Sequence, residues 1–138
     1  MYTNTNMTIF NKNVHNGQVI YIPKLIDYVF WNSQESINNS NKNSDGADKS
    51  DEVVVYMPVT KNDMTNYKEP KEYIKSFTGW TIREGDFIVK GDLTKKNNED
   101  NIINGIKDLK DYEVFSINLV DYNDFGSNNM KHFKIKGN

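Results

Sequence analysis

The sequence predicts a mainly β protein, a small β-barrel or sandwich with one or two short helices and a long polar loop, built as a single domain over residues 1–138. Three observations lead there. Eight Tyr, seven Phe and two Trp are interleaved with Val and Ile, a mixture suited to pleated, half-buried surfaces. Short apolar runs alternate with clusters of Asn, Asp, Gly and Ser, while helical spacing holds only over a turn or two. The length fits one modest core, since a chain near 150 residues buries roughly 68–70% of its unfolded surface and needs no metal or disulfide to hold it.

The elements follow in order. Gly17 to Tyr21 and Lys24 to Trp31 are apolar runs flanking Pro23, which has no N–H for a ladder and so marks an edge position, a bulge or a break between two strands. Asp51 to Val59, DEVVVYMPV, is nearly continuous in apolar residues and reads as a strand covered on both faces, ended by Pro58. Glu69 to Ser76 starts near Pro70 and sets Tyr73 four residues before Phe77, the pattern of a two-turn helix. Phe77 to Leu93, FTGWTIREGDFIVKGDL, reads as a core hairpin: Trp80 and Ile82 form an apolar face, Gly85 sits in a tight turn, and Phe87 and Gly91 share one side of the strand that follows. Ile102, Ile106 and Leu109 have helical spacing, weakened by Gly105. Glu113 to Asp121 and Met130 to Lys136 are strands that pair across the turn formers of Tyr122 to Asn129.

Residues 32–51 stand apart. These 20 residues hold five Asn, five Ser and only Ile37 and Ala47 as aliphatic side chains, too little apolar surface to offset the entropy of ordering. Strand-like runs on both sides make this a long flexible loop projecting from one domain. Gln34, Glu35, Asn38, Asn39, Lys42, Asp45, Asp48 and Lys49 are its candidate contact residues, at a subunit interface or a lumen.

Chemistry is harder to find. Cys is absent, which excludes disulfides, thiolate metal sites and a Cys nucleophile. His15 and His132 lie far apart with no carboxylate or second His at ligand spacing, so no metal site is expected. Asp45, Asp48 and Asp51 recur every three residues, but a calcium loop needs oxygen ligands at alternate positions and flanking helices. No phosphate-cradling glycine motif follows a strand. The expectation is no catalytic residue, no cofactor and no enzyme activity. A net charge of -2 with a single arginine, Arg83, lacks the positive field of sequence-independent nucleic-acid binding. No apolar run reaches the roughly 18 residues of a membrane span, and MYTNTNMTIF has neither the basic stretch nor the apolar core of a secretion signal, so a soluble protein is expected.

Three stretches carry a resemblance. The opening MYTNTNMTIFNK, the run from Lys68-Glu-Pro-Lys-Glu-Tyr to Gly79-Trp-Thr-Ile-Arg-Glu-Gly-Asp-Phe-Ile-Val-Lys-Gly91, and Asn123-Asp-Phe-Gly-Ser-Asn-Asn-Met-Lys-His-Phe-Lys-Ile135 resemble a family of uncharacterised tailed-phage and prophage proteins of Firmicutes. The likeness spans nearly the whole chain, although residues 32–51 have no counterpart and family members tend to carry Trp in place of Phe133. Members of that family are encoded between the major capsid and tail genes. By analogy of position and size, the resemblance implies a structural virion protein of the head-tail connector, a stopper or head-completion subunit in the neck, assembled in the bacterial host cytoplasm. Such proteins are small β-barrels that form rings of six or twelve copies, touch portal, adaptor and tail proteins, and surround the packaged double-stranded DNA. A tail terminator or minor capsid protein is the alternative within that class. From another class, a stand-alone nucleic-acid-binding β-barrel would use Tyr and Trp as stacking platforms and predicts exposed aromatics beside lysines.

Overall fold

The computed structural model describes residues 2–37, 49–127 and 130–138. Strands β1 (Thr5–His15) and β2 (Gln18–Ile37) form a hairpin across Asn16 and Gly17, both at positive φ as a type I′ turn requires. β3 (Lys49–Pro58) pairs back on β2. A long excursion carries helix α1 (Pro70–Ser76) before β4 (Phe87–Lys90), and a second excursion carries the two-residue strands β5 (Lys95–Lys96) and β6 (Glu99–Asp100) and a 3₁₀ turn at Ile106–Leu109. The chain then closes with β7 (Val114–Asn123) and β8 (His132–Gly137).

Six strands pair in a ring, β1-β2-β3-β8-β7-β4, wholly antiparallel. The mainly β class expected from the sequence, a small β-barrel or sandwich, is therefore what the chain forms. Two strands belong to both walls. β2 pairs with β1 as far as Val29 and with β3 from Phe30 onward. β7 pairs with β4 through Ser116 and with β8 from Ile117, with a register irregularity just after the change of partner. Such bulges let a strand turn a corner between sheets.

Alternation along each strand fills the ring. Met7, Ile9, Ile26, Val29, Trp31, Val53, Val55, Met57, Ile88, Phe115, Ile117, Phe133 and Ile135 all point inward, and Trp80 and Ile82 from the first excursion close the core. A second, smaller core lies outside the ring, where Phe10 and Val89 are covered by Ile103 and Leu109 of the second excursion. This is why Met7 to Asn11 are buried on both faces of β1.

Several sequence expectations need correction. Phe77 to Leu93 is not a hairpin: β4 pairs with β1 and β7, and Trp80 meets Tyr67 in a single parallel bridge. Trp80 and Ile82 are buried all the same, while Phe87 packs in the outer core and Gly85 and Gly91 take positive φ. Pro23 does not break β2; it pairs opposite Phe10 in one unbroken strand. Its missing N–H is tolerated because this half of β2 has a sheet partner only in β1, as an edge position would. Of Ile102 to Leu109 only Ile106–Leu109 is helical, as a 3₁₀ turn, with Ile102 and Ile106 exposed and Ile103 and Leu109 buried. Within 32–51, residues 32–37 belong to β2 and 49–51 to β3, because backbone pairing extends past the point where apolar side chains stop. Residues 38–48 lie outside the described residues.

Candidate functional site

The β2–β3 pair outgrows the ring. β1 meets β2 only to Val29, where Asn4 donates its backbone N–H to the Val29 carbonyl and pins Trp31 through side-chain bonds of 2.8 and 3.1 Å to its N–H and C=O. On the other side, β8 meets β3 only to Val53, opposite Gly137. Beyond these limits Gln34↔Glu52, Glu35↔Asp51, Ser36↔Ser50 and Ile37↔Lys49 pair with each other alone. At roughly 3.4 Å per residue these rungs make an arm of about 13 Å. Among the described residues no strand of the ring pairs with either outer edge of the arm, and an unpaired strand edge can add to another chain. Of the candidate contact residues, Gln34, Glu35 and Lys49 stand on this arm. Asn38, Asn39, Lys42, Asp45 and Asp48 lie outside the described residues.

A second site lies where the first excursion covers one end of the ring. Val59, Met64, Tyr67, Pro70 and Ile82 on the excursion face Val120, Tyr122 and Phe133 of β7 and β8 across an open cavity of about 570 Å³. The wall is aromatic: Tyr67 meets Trp80 edge-on with ring centroids 5.2 Å apart, and Phe133 lies 5.6 Å from Tyr67 and 4.8 Å from Tyr122. Trp80 is anchored by donating its indole N–H to the Thr65 carbonyl at 2.9 Å. Burial, with the charge of Glu69 adding to it, pushes the Tyr67 phenol up to about 12. Three charged residues line the cavity, Glu69, Arg83 and Glu84.

Arg83 is already engaged. Its Nε donates to Asp86 Oδ2 at 2.9 Å, another guanidinium nitrogen donates to the Lys12 carbonyl, and the guanidinium carbon lies 5.1 Å from the centre of the Tyr73 ring. Asp86 is buried and also accepts from the Asn11 amide at 2.9 Å and the Lys12 backbone N–H at 3.2 Å. Asn11 in turn bonds the backbone of Thr81 on both its N–H and its C=O. Burial raises the Asp86 carboxyl above its ordinary range, and the bonds from Asn11 and Arg83 pull against that. The network ties the stretch carrying Trp80 and Ile82 to β1, so it positions the cavity wall.

A third feature is the outer face of β2, β3 and β8. Phe30 and Tyr56 are cross-strand partners with stacked rings 6.2 Å apart, His132 lies 5.7 Å from Tyr56, and Lys134 holds its ammonium 6.0 Å from the Tyr56 ring centre. Asp121 stands directly across from Lys134. His132 shares a 2.9 Å bond with the Met130 carbonyl through Nδ1 and a 3.2 Å bond with the Asn123 amide through Nε2. With Nδ1–H donating and Nε2 accepting, the neutral ring satisfies both partners. His15 is exposed at the far end of β1.

Among the described residues, no group of three or more His, Asp and Glu side chains comes together to hold a metal ion, and no helix is long and apolar enough to cross a membrane. The cavity residues and the Asn11–Asp86–Arg83 network escape sequence reasoning. The bonds from Asn11 and Lys12 to Thr81 and Asp86 span 70 or more positions, and only the solitary arginine was a visible signal.

A family model described as a family of unknown function, DUF6751, matches residues 2–138, and the chain belongs to that family. Neither a curated protein nor a solved structure matches it.

Proposed function

We propose that this DUF6751 protein is a structural subunit that assembles through its β2–β3 arm, and that the assembly is a head-tail connector ring of a tailed phage, the stopper or head-completion ring of the neck. The observation that carries the assembly reading is the arm. An isolated two-stranded ribbon is marginally stable, and one with both edges open gains most by adding to another chain's backbone. A ring of identical subunits uses head-to-tail contacts in which one patch meets a different patch on the neighbour, and a projecting arm supplies the first of these. The phage setting rests on the sequence resemblance alone. A small barrel with a filled core and a projecting hairpin is compatible with it.

The test is direct. The purified protein, concentrated alone or added to DNA-filled heads lacking tails, is expected to form rings of six or twelve copies by electron microscopy and to sediment with the heads. A protein that stays monomeric in both settings overturns the reading.

The outer aromatic face favours one second reading, a nucleic-acid-binding barrel in which bases stack on Phe30 and Tyr56 and Lys134 and Lys136 meet phosphates. Asp121 opposite Lys134 works against it. Binding of an unstructured oligonucleotide that weakens steeply with salt, and is lost in Tyr56→Ala, would put this reading first.

A further inference from the structure

The cavity beneath the first excursion has no part in the arm, and its chemistry specifies what it takes. Its lining is largely apolar, with Ile82 and Phe133 almost wholly buried and Tyr122 half exposed. At about 570 Å³ it falls within the range of ligand pockets. Glu69 and Glu84 are exposed at its rim. The one cation there, Arg83, has its charge spent on Asp86. The rim is therefore negative around an apolar lining. An apolar side chain alone would leave those carboxylates without a partner, whereas an acidic neighbour would be repelled.

We propose that this cavity docks a protein segment that inserts a large apolar side chain and carries lysine or arginine beside it. This deepens the assembly reading and rests on it, the segment belonging to a neighbouring connector protein. The apolar side chain displaces water from Val59, Met64, Val120 and Phe133, which supplies the affinity. The flanking cations meet Glu69 and Glu84, which supplies the choice of partner and its orientation.

Methionine methyl resonances give a clean readout, because Met64 lines the cavity while Met7 and Met57 are buried in the ring core and serve as internal references. The probes are two capped hexapeptides, Gly-Lys-Leu-Phe-Lys-Gly and Gly-Glu-Leu-Phe-Glu-Gly, titrated into the whole protein. The lysine peptide is expected to shift the Met64 methyl saturably, leave Met7 and Met57 in place, and bind about tenfold more tightly than the glutamate peptide. Glu69→Gln with Glu84→Gln, both at exposed positions, is expected to erase most of that preference while the core methyls show the fold intact. No Met64 shift up to millimolar peptide, or equal binding of the two peptides by the unaltered protein, overturns the proposal. Ring formation without peptide binding would sink the docking site and spare the assembly reading; peptide binding by a protein that forms no ring would sink the ring and spare the pocket's preference.

Discussion

Trp80 shows how a single side chain joins core and cavity. It closes the ring core, donates its indole N–H to Thr65, supports Tyr67 from the side, and lies under the Lys24 ammonium at 5.2 Å. Trp80→Ala is expected to cost about 3–5 kcal/mol in a urea melt, as large-to-small core changes do, and to open the cavity wall. Tyr67 offers a pH test at the same place. Its folded pKa, about 12, exceeds the ordinary 10.0, so the neutral phenol stabilises the fold fully below pH 10, and that contribution is lost as pH rises from 10 towards 12. Burial also raises Tyr21 and Tyr73, so absorbance titration is expected to show Tyr67 in the late-ionising group, and Tyr67→Phe to remove one late tyrosine and lessen the alkaline loss of stability. Trp80 was legible in the sequence because a large aromatic beside Ile82 has few places to go but a core. Asn11 was not: a polar residue in a strand reads as surface, and nothing local reveals that Thr81 and Asp86 wait for it inside.

At the scale of elements, the strands were legible and one connection was not. β3 and the β7–β8 pair follow from apolar runs and turn formers, because strand periodicity is local. The stretch before β4 failed as a hairpin because its partners are non-local: Lys68 and Trp80 are joined backbone to backbone across the first excursion, with bonds of 2.8 Å from Lys68 N–H to Trp80 C=O and 3.1 Å from Trp80 N–H to Asn66 C=O. Gly79 makes that crossing possible. Its φ is +78°, and a Cβ there would stand 2.3 Å from the Asn66 carbonyl oxygen. Gly85 has φ +94° but open space around it. Gly79→Ala must therefore both strain its backbone and push the crossing apart, while Gly85→Ala suffers strain alone. Thermal or urea unfolding is expected to show a loss of about 3 kcal/mol or more for the first and about 1 kcal/mol for the second. Equal losses would mean that the excursion moves freely over the ring.

For the whole molecule, the division is between a ring that holds itself together and an arm that does not need to. The six strands of the ring pair in sequence around it, and among the described residues its core runs from Met7 to Ile135. The composition of 32–51 reads as loop throughout, yet 32–37 and 49–51 are strand, because Gln, Glu, Ser and Lys can be paired through their backbones without an apolar pattern to announce it. Removing Gln34 to Ser50 and joining Ser33 to Asp51 with a short Gly-Ser link keeps the pairs from Phe30↔Tyr56 to Ser33↔Val53. Loop-closure entropy changes only slowly with length, so the shortened protein is expected to keep its unfolding midpoint within about 1 kcal/mol of stability. Assembly is where the loss should appear, since the open backbone edges that would add to a neighbour are gone. If the proposed connector role holds, the shortened protein in a complementation test is expected to yield heads that fail to retain DNA or to join tails, with far fewer infectious particles. Normal numbers of DNA-filled, infectious particles from a folded, armless protein would show that the arm is a dispensable insertion and overturn assembly through it.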